Sequence, residues 1–191
     1  MENKVFNPEK KFVLESPERY KSLPPFATLE SLNLKEDDII IDVGCGTGYF
    51  TLPAAQITGP NGRVIGIDIS EEMLQEVKGK IIDKNINIEL MISDSIRLPL
   101  DDSFATFALL SDVLHETDKM PEMLKEVYRV LKPGARLAIL EWEKREMPKG
   151  PPLEHRLHQK EIMSLVDEAG YTMAETSPIG SFHICCTAIR K

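Results

Sequence analysis

The chain has 191 residues, a size at which one hydrophobic core suffices without metals or disulfides. Its 31 acidic residues outnumber 23 basic ones, for a formal net charge of −8, and no large positive cluster is present to grip nucleic acid or an anionic membrane. The opening MENKVFNPEKKF has no apolar leader core, no apolar stretch approaches the ~20 residues that span a bilayer, and three cysteines, two of them adjacent, make no disulfide framework. These features predict a cytoplasmic protein with no membrane partner.

The first 34 residues read as a helical preface. Ser16 before Pro17 is a cap followed by proline at the first helical position, and PPFATLESLNL repeats that start with Phe26, Leu29 and Leu32 at helical spacing. The small basic clusters here, Lys10–Lys11 and Arg19 with Lys21, read as solvated. Short apolar runs then alternate with helical patterns. Strands are expected at 39–43, 63–69, 86–92, 104–110 and 135–142, mostly without polar alternation, as in strands covered on both faces. Helices are expected over 49–58, after the cap Ser70 with Met73, Leu74, Val77 and Ile81 on one face, and from Pro121 with Leu124, Val127, Tyr128 and Leu131 facing inward. Such alternation implies a parallel sheet with helices on both faces and a ligand beyond the C-terminal strand ends. Residues 143–158, with three prolines, form a long loop expected to help cover the ligand site. A helix over 159–169 closed by Gly170, then YTMAET and SFHICCTAI about an SPIG turn, predict a closing antiparallel hairpin.

The stretch IIIDVGCGTGYFTLPAA runs a buried strand into Gly44, Gly46 and Gly48, where missing Cβ atoms permit positive φ and close approach of a ligand. Asp68 ends the second strand 20 residues beyond Gly48, where a carboxylate accepts from both hydroxyls of a ribose. Nicotinamide cofactors use a similar pair of features, but their G-x-G-x-x-G turn seats a pyrophosphate. Here the glycines follow Asp42, which suits an amino group better than a phosphate.

The D-x-G-x-G-x-G of residues 42–48 resembles the first motif of class I S-adenosylmethionine-dependent methyltransferases. IDIS resembles their ribose-binding strand end, SDSIRLP their adenine-contacting segment and LKPGARLAI their approach to the fifth strand, with Ala135 where a second glycine is common. The likeness extends to the small-molecule branch that holds ubiquinone, menaquinone and arsenite methyltransferases. It implies an α/β, Rossmann-like fold with a seven-stranded, mostly parallel sheet, an antiparallel last strand and helices on both faces. It also implies a methyltransferase domain over 35–191 behind a segment, 1–34, that covers the cofactor. S-adenosylmethionine would be the cofactor and S-adenosylhomocysteine the product. Carried over residue by residue, the resemblance sets the loop from Gly44 through Cys45, Gly46 and Gly48 to Tyr49 against the methionine portion, with Asp42 near its amino group. Asp68 would hold the ribose, Ile69 and Met73 would flank the adenine, and Asp94 would accept from its amine beside Ser93 and Ser95. Ser111 would line the methionine side.

Methyl transfer is an in-line displacement whose leaving group the cofactor brings, so the protein contributes mainly proximity and orientation, up to ~7–11 kcal/mol. A base is needed only where the acceptor must lose a proton. Candidates follow the fourth strand in SDVLHET: Asp112, His115 and Glu116, with packing of a helix start as the alternative role of His115. Glu141, Trp142, His155 and His158 are placed around the acceptor. No third ligand of clear spacing joins the two loop histidines, so no metal is expected. Cys185 and Cys186 would point to opposite faces of a strand, which gives no arsenic site. The Asn-Pro-Pro-Tyr type segment of nucleic-acid amine methyltransferases is SDVL here. The reading is a monomer or homodimer acting on a small-molecule acceptor. A non-catalytic binder of the same cofactor and a nicotinamide oxidoreductase are its rivals.

Overall fold

A computed structural model describes residues 6–82, 86–94 and 96–191. It opens with a 3-10 helix, Pro8–Glu15, then α1 (Pro17–Ser22) and α2 (Pro25–Ser31). Each begins on proline, whose fixed φ suits a first turn, and Ser16 Oγ accepts from the Arg19 N–H at 3.2 Å. Pieces this short are unstable alone and depend on packing. Leu23 and Leu29 supply it, both fully buried.

Among the described residues, seven strands form one sheet: β1 (Ile39–Val43), β2 (Arg63–Asp68), β3 (Ile88–Ile92), β4 (Ala105–Ser111), β5 (Leu131–Trp142), β6 (Tyr171–Ile179) and β7 (His183–Arg190). Their order is β3-β2-β1-β4-β5-β7-β6. The first five run parallel, and β7 pairs antiparallel with both β5 and β6. The fold class expected from the sequence is the one observed. The chain builds outward from β1 to β3, then returns to place β4 on the other side of β1, which creates a crevice at the C-terminal ends of β1 and β4.

The helices α3 (Thr51–Thr58), α4 (Glu71–Ile81), α5 (Met120–Val130) and α6 (Gln159–Glu168) complete the layers. Because strand side chains alternate, each central strand feeds two cores. Ile41, Val43, Ile67 and Leu110 meet Leu124 and Val127 of α5 and Ile162 of α6 in one; Ile40, Val64, Phe107 and Leu109 meet Leu29 of α2 and Ala54 of α3 in the other. Cys186 and Cys185 fall in the first and second core respectively, on opposite faces as alternation requires.

Two boundaries differ from expectation. β5 begins at Leu131 because Leu131 pairs with Ala105 before a register shift, and Gly134 at φ +76° lies in the irregular stretch. The hairpin turn lies at 180–182, and Pro178 stands inside β6 opposite Ile184. β6 is an edge strand, so the missing N–H of Pro178 breaks no second ladder.

Candidate active site

The chain leaves β1 through Gly44, Gly46 and Gly48 at φ +73°, +53° and +87°. Gly44 tolerates no side chain, because a Cβ would stand 2.2 Å from Val113 Cγ2. The Gly44 and Cys45 N–H groups donate to the Ile67 carbonyl at 2.7 and 2.9 Å, which ties the loop to the end of β2. Asp68 completes the tie. Its Oδ2 accepts from the Gly46 N–H and its Oδ1 from the Ser70 N–H, each at 2.8 Å. An ionised carboxylate has about four lone-pair sites, so these donors leave acceptor capacity for a ligand. Burial raises the Asp68 pKa, and the N–H donors of Ser70 and Gly46 pull it back.

Asp42 is buried beneath the loop, with Oδ2 accepting from Thr51 Oγ1 at 2.6 Å. Burial pushes its pKa up to about 6 against the lowering effect of Thr51. Cys45 is buried and its thiol is pushed up by the same desolvation, so it packs rather than reacts. The Tyr49 hydroxyl donates to the Leu23 carbonyl at 2.7 Å, anchoring the α1–α2 junction, and its ring lies 4.6 Å from the Arg19 guanidinium.

At the C-terminal ends of β2 and its neighbour β3, Ile69 and Ile92 are 57 and 60 % exposed. Met73 is buried on α4. The Asp94 carboxylate accepts from the N–H groups of Ile96 and Arg97 at 3.0 and 3.3 Å, and the Ser93 N–H donates to the Asp68 carbonyl at 3.0 Å. Ser95 lies outside the described residues.

Across the crevice, β4 ends at Ser111 and Asp112 adopts φ +60°, a left-handed conformation that is uncommon without glycine. Asp112 Oδ2 accepts from Arg19 Nη2 at 3.1 Å, and Oδ1 lies 3.1 Å from His183 Nε2 but out of hydrogen-bonding alignment. Burial raises the Asp112 pKa, yet His183 and Arg19 outweigh it and hold the carboxyl below its ordinary value. His115 sits on a 3-10 turn, Leu114–Glu116, with Nδ1 2.6 Å from Oε2 of the buried Glu141. Burial lowers the His115 pKa, but the Glu141 carboxylate overrides it and lifts the ring to about 9. The Glu141 carboxylate thus favours the protonated ring, with His115 Nδ1 donating to it. Glu116 is raised to about 7 by burial, and its Oε2 accepts from the Phe6 N–H at 3.2 Å.

Two segments flank these groups. The N-terminal 3-10 helix crosses the glycine loop, where Leu14 Cδ1 comes within 3.4 Å of where a Gly46 Cβ would be. Glu15 pairs with Lys80, whose Nζ also donates to the Thr47 carbonyl at 2.7 Å, and Lys11 bridges Glu72 and Glu76 at 3.0 and 2.6 Å. The 143–158 loop is organised by the buried Arg156, which donates to the carbonyls of Glu143, Arg145, Lys149 and Pro151 at 2.8 to 3.3 Å. His158 caps α6, and no group of three or more His, Cys, Asp or Glu suited to a metal occurs among the described residues.

Residues 34–174 match the family described as a methyltransferase domain. The chain belongs to that family. Demethylmenaquinone methyltransferase from Lactobacillus johnsonii is 35 % identical over 114 residues, which cover 59 % of this chain and 47 % of that protein. The chain thus spans about half the length of the curated relatives it matches. A crystal structure of a SAM dependent methyltransferase from Aquifex aeolicus superposes with a TM-score of 0.92 at 30 % identity, over 98 % of this chain and 100 % of that one. The cyclase SpnF shares the fold at 18 % identity and a TM-score of 0.74, over 85 % of this chain and 78 % of that one.

Within this methyltransferase domain Asp42, the glycine loop and Asp68 lie at the C-terminal ends of β1 and β2, and Ser111, Asp112 and His115 at and just beyond the C-terminal end of the adjacent β4. Arg19 is a correction: it is a largely buried partner of Asp112, not a solvated charge. Lys11 likewise bridges two carboxylates. His183 and the pairing of His115 with Glu141 were not signalled by any local pattern. Arg19 and Asp112 are 93 residues apart, a separation that no spacing motif spans.

Proposed function

We propose that the chain is an S-adenosylmethionine-dependent methyltransferase acting on a small-molecule acceptor in the cytoplasm. The observation that carries this reading is Asp68: its carboxylate fixes the glycine loop through Gly46 and, at the end of β2, retains acceptor capacity for ribose hydroxyls. Asp42 would face the methionine amino group through the open loop, Ile69 would cover adenine with Met73 behind it, and Asp94 would receive the adenine amine. The cofactor supplies both the methyl group and the leaving group. The chain would bind and orient the reactants, and the N-terminal helices from Pro8 to Ser31 would exclude water from the loop.

The net charge of −8 favours a small acceptor over nucleic acid, and the similarity to the Lactobacillus johnsonii demethylmenaquinone methyltransferase points the same way. A quinone-type acceptor is one member of that class. The SpnF likeness is a reminder that this fold hosts other chemistry. Turnover decides: purified protein incubated with S-adenosylmethionine and a panel of hydroxyl, thiol and amine compounds should release S-adenosylhomocysteine with at least one of them. Cofactor binding without release across the panel would favour the non-catalytic binder.

A further inference from the structure

The crevice wall opposite Asp68 holds a group of polar atoms that the protein itself leaves unsatisfied. Ser111 Oγ, Arg19 Nε and His183 Nδ1 are buried with no hydrogen-bond partner, and Asp112 Oδ1 and His183 Nε2 meet only each other, at 3.1 Å and out of alignment. His183 is only 2 % exposed and its ring lies 4.4 Å from that of Trp142, so no rotation into solvent rescues it. A buried unpaired polar group costs roughly 1–3 kcal/mol, and such a cost gathered at one point marks a missing partner. Asp112 adds strained backbone to the same place.

The group borders the glycine loop. Val43 of β1 lies opposite Leu110 of β4, one residue before Ser111, and Val113 fills the space above Gly44. Its charges are already matched, Arg19 to Asp112 and the adjoining His115 to Glu141. A charged ligand would enter without a counterion and bear its own desolvation cost. The group offers a donor without a partner, Arg19 Nε, and an acceptor whose one neighbour is misaligned, Asp112 Oδ1.

We propose that Arg19, Ser111, Asp112 and His183 form the recognition site for the methyl acceptor, and that the group they hold is an uncharged hydroxyl, which donates to Asp112 and accepts from Arg19 or His183. The assignment rests on the methyltransferase reading. Arg19 and His183 come from the two ends of the chain, so the site exists only when the N-terminal segment is docked on the domain.

Three probes of one carbon skeleton test this: benzyl alcohol, benzoate and benzylammonium, each titrated into protein carrying 15N-histidine, with and without S-adenosylhomocysteine, while the ring signals of His183 are followed. Benzyl alcohol should move those signals with a dissociation constant at least ~10-fold below those of the charged probes. Asp112→Asn should weaken it by about 10-fold, the size of one lost hydrogen bond to a charged group. Asparagine tolerates a left-handed φ, so the variant keeps the turn; Ser111→Ala, a smaller change, should weaken binding less. Immobile His183 signals, tighter binding of a charged probe, or an unaffected D112N variant would overturn the assignment and leave the group to bound water. Failure of S-adenosylhomocysteine to bind would instead overturn the methyltransferase reading, while the titration without it still decides the polar site.

Discussion

Asp42 and Asp68 are both buried carboxylates at strand ends, and Asp68 is the one whose two oxygens also tie the glycine loop and the Ser70 turn together. Asp68→Ala should weaken S-adenosylmethionine binding by about 3–6 kcal/mol, taking ~1.5–3 per hydrogen bond to a charged group for two ribose hydroxyls, as read by calorimetry. Asp42 gives a pH signature. Its pKa in the fold, about 6, exceeds the ordinary 3.8, so its contribution to stability is full below the ordinary value and is lost as pH rises through 6. A cationic amino group bound beside it favours the ionised form. Affinity for the cofactor should therefore rise as pH increases through about 6, with proton release on binding below that point; calorimetry in buffers of different ionisation enthalpy checks both. These residues were legible in the sequence because the loop and the strand end are local features with a fixed spacing. Arg19 and His183 were not, because each acquires its role only from a partner brought close by the whole fold.

At the level of elements, the 143–158 loop was legible as a loop from its prolines, but not as an ordered one. Its order comes from one guanidinium that satisfies four backbone carbonyls, and nothing about an arginine in a charged stretch announces that. Arg156→Met should leave those carbonyls unpaired and open the loop. Trypsin should then cut the native protein at Lys144, Arg145 or Lys149, with S-adenosylmethionine binding unchanged; equal protection would show that another group holds the loop. The N-terminal helices were legible from their Pro starts, whereas their ties to α4 were not. Individual exposed ion pairs contribute only ~0–1 kcal/mol, so Lys80→Met should barely move the melting temperature. It should instead speed cofactor release, and high salt should have the same effect on the unchanged protein, since the pairs of Lys11 and Lys80 are screened; stopped-flow dissociation measures both.

The whole molecule follows from alternating apolar runs and helical patterns, which dictate parallel strands and place every motif at the same edge of the sheet. The misplaced hairpin turn has a topological cause: Pro178 signals a turn locally, but an edge strand accepts it. The 3-10 turn after β4 is joined to the end of β5 by His115 and Glu141, and that pair makes a pH-dependent contribution to stability. The His115 pKa of about 9 exceeds its ordinary 6.5, so its contribution is full below 6.5 and lost as pH rises through 9. The melting temperature should fall across that window, and Glu141→Gln should flatten the fall while lowering stability at neutral pH by about 3 kcal/mol. The central claim, that the crevice between β1 and β4 is built for S-adenosylmethionine, is tested most directly by calorimetric titration of the purified protein with S-adenosylmethionine, S-adenosylhomocysteine and NADH. The account predicts selective micromolar binding of the first two at one site per chain; binding of NADH alone would contradict it.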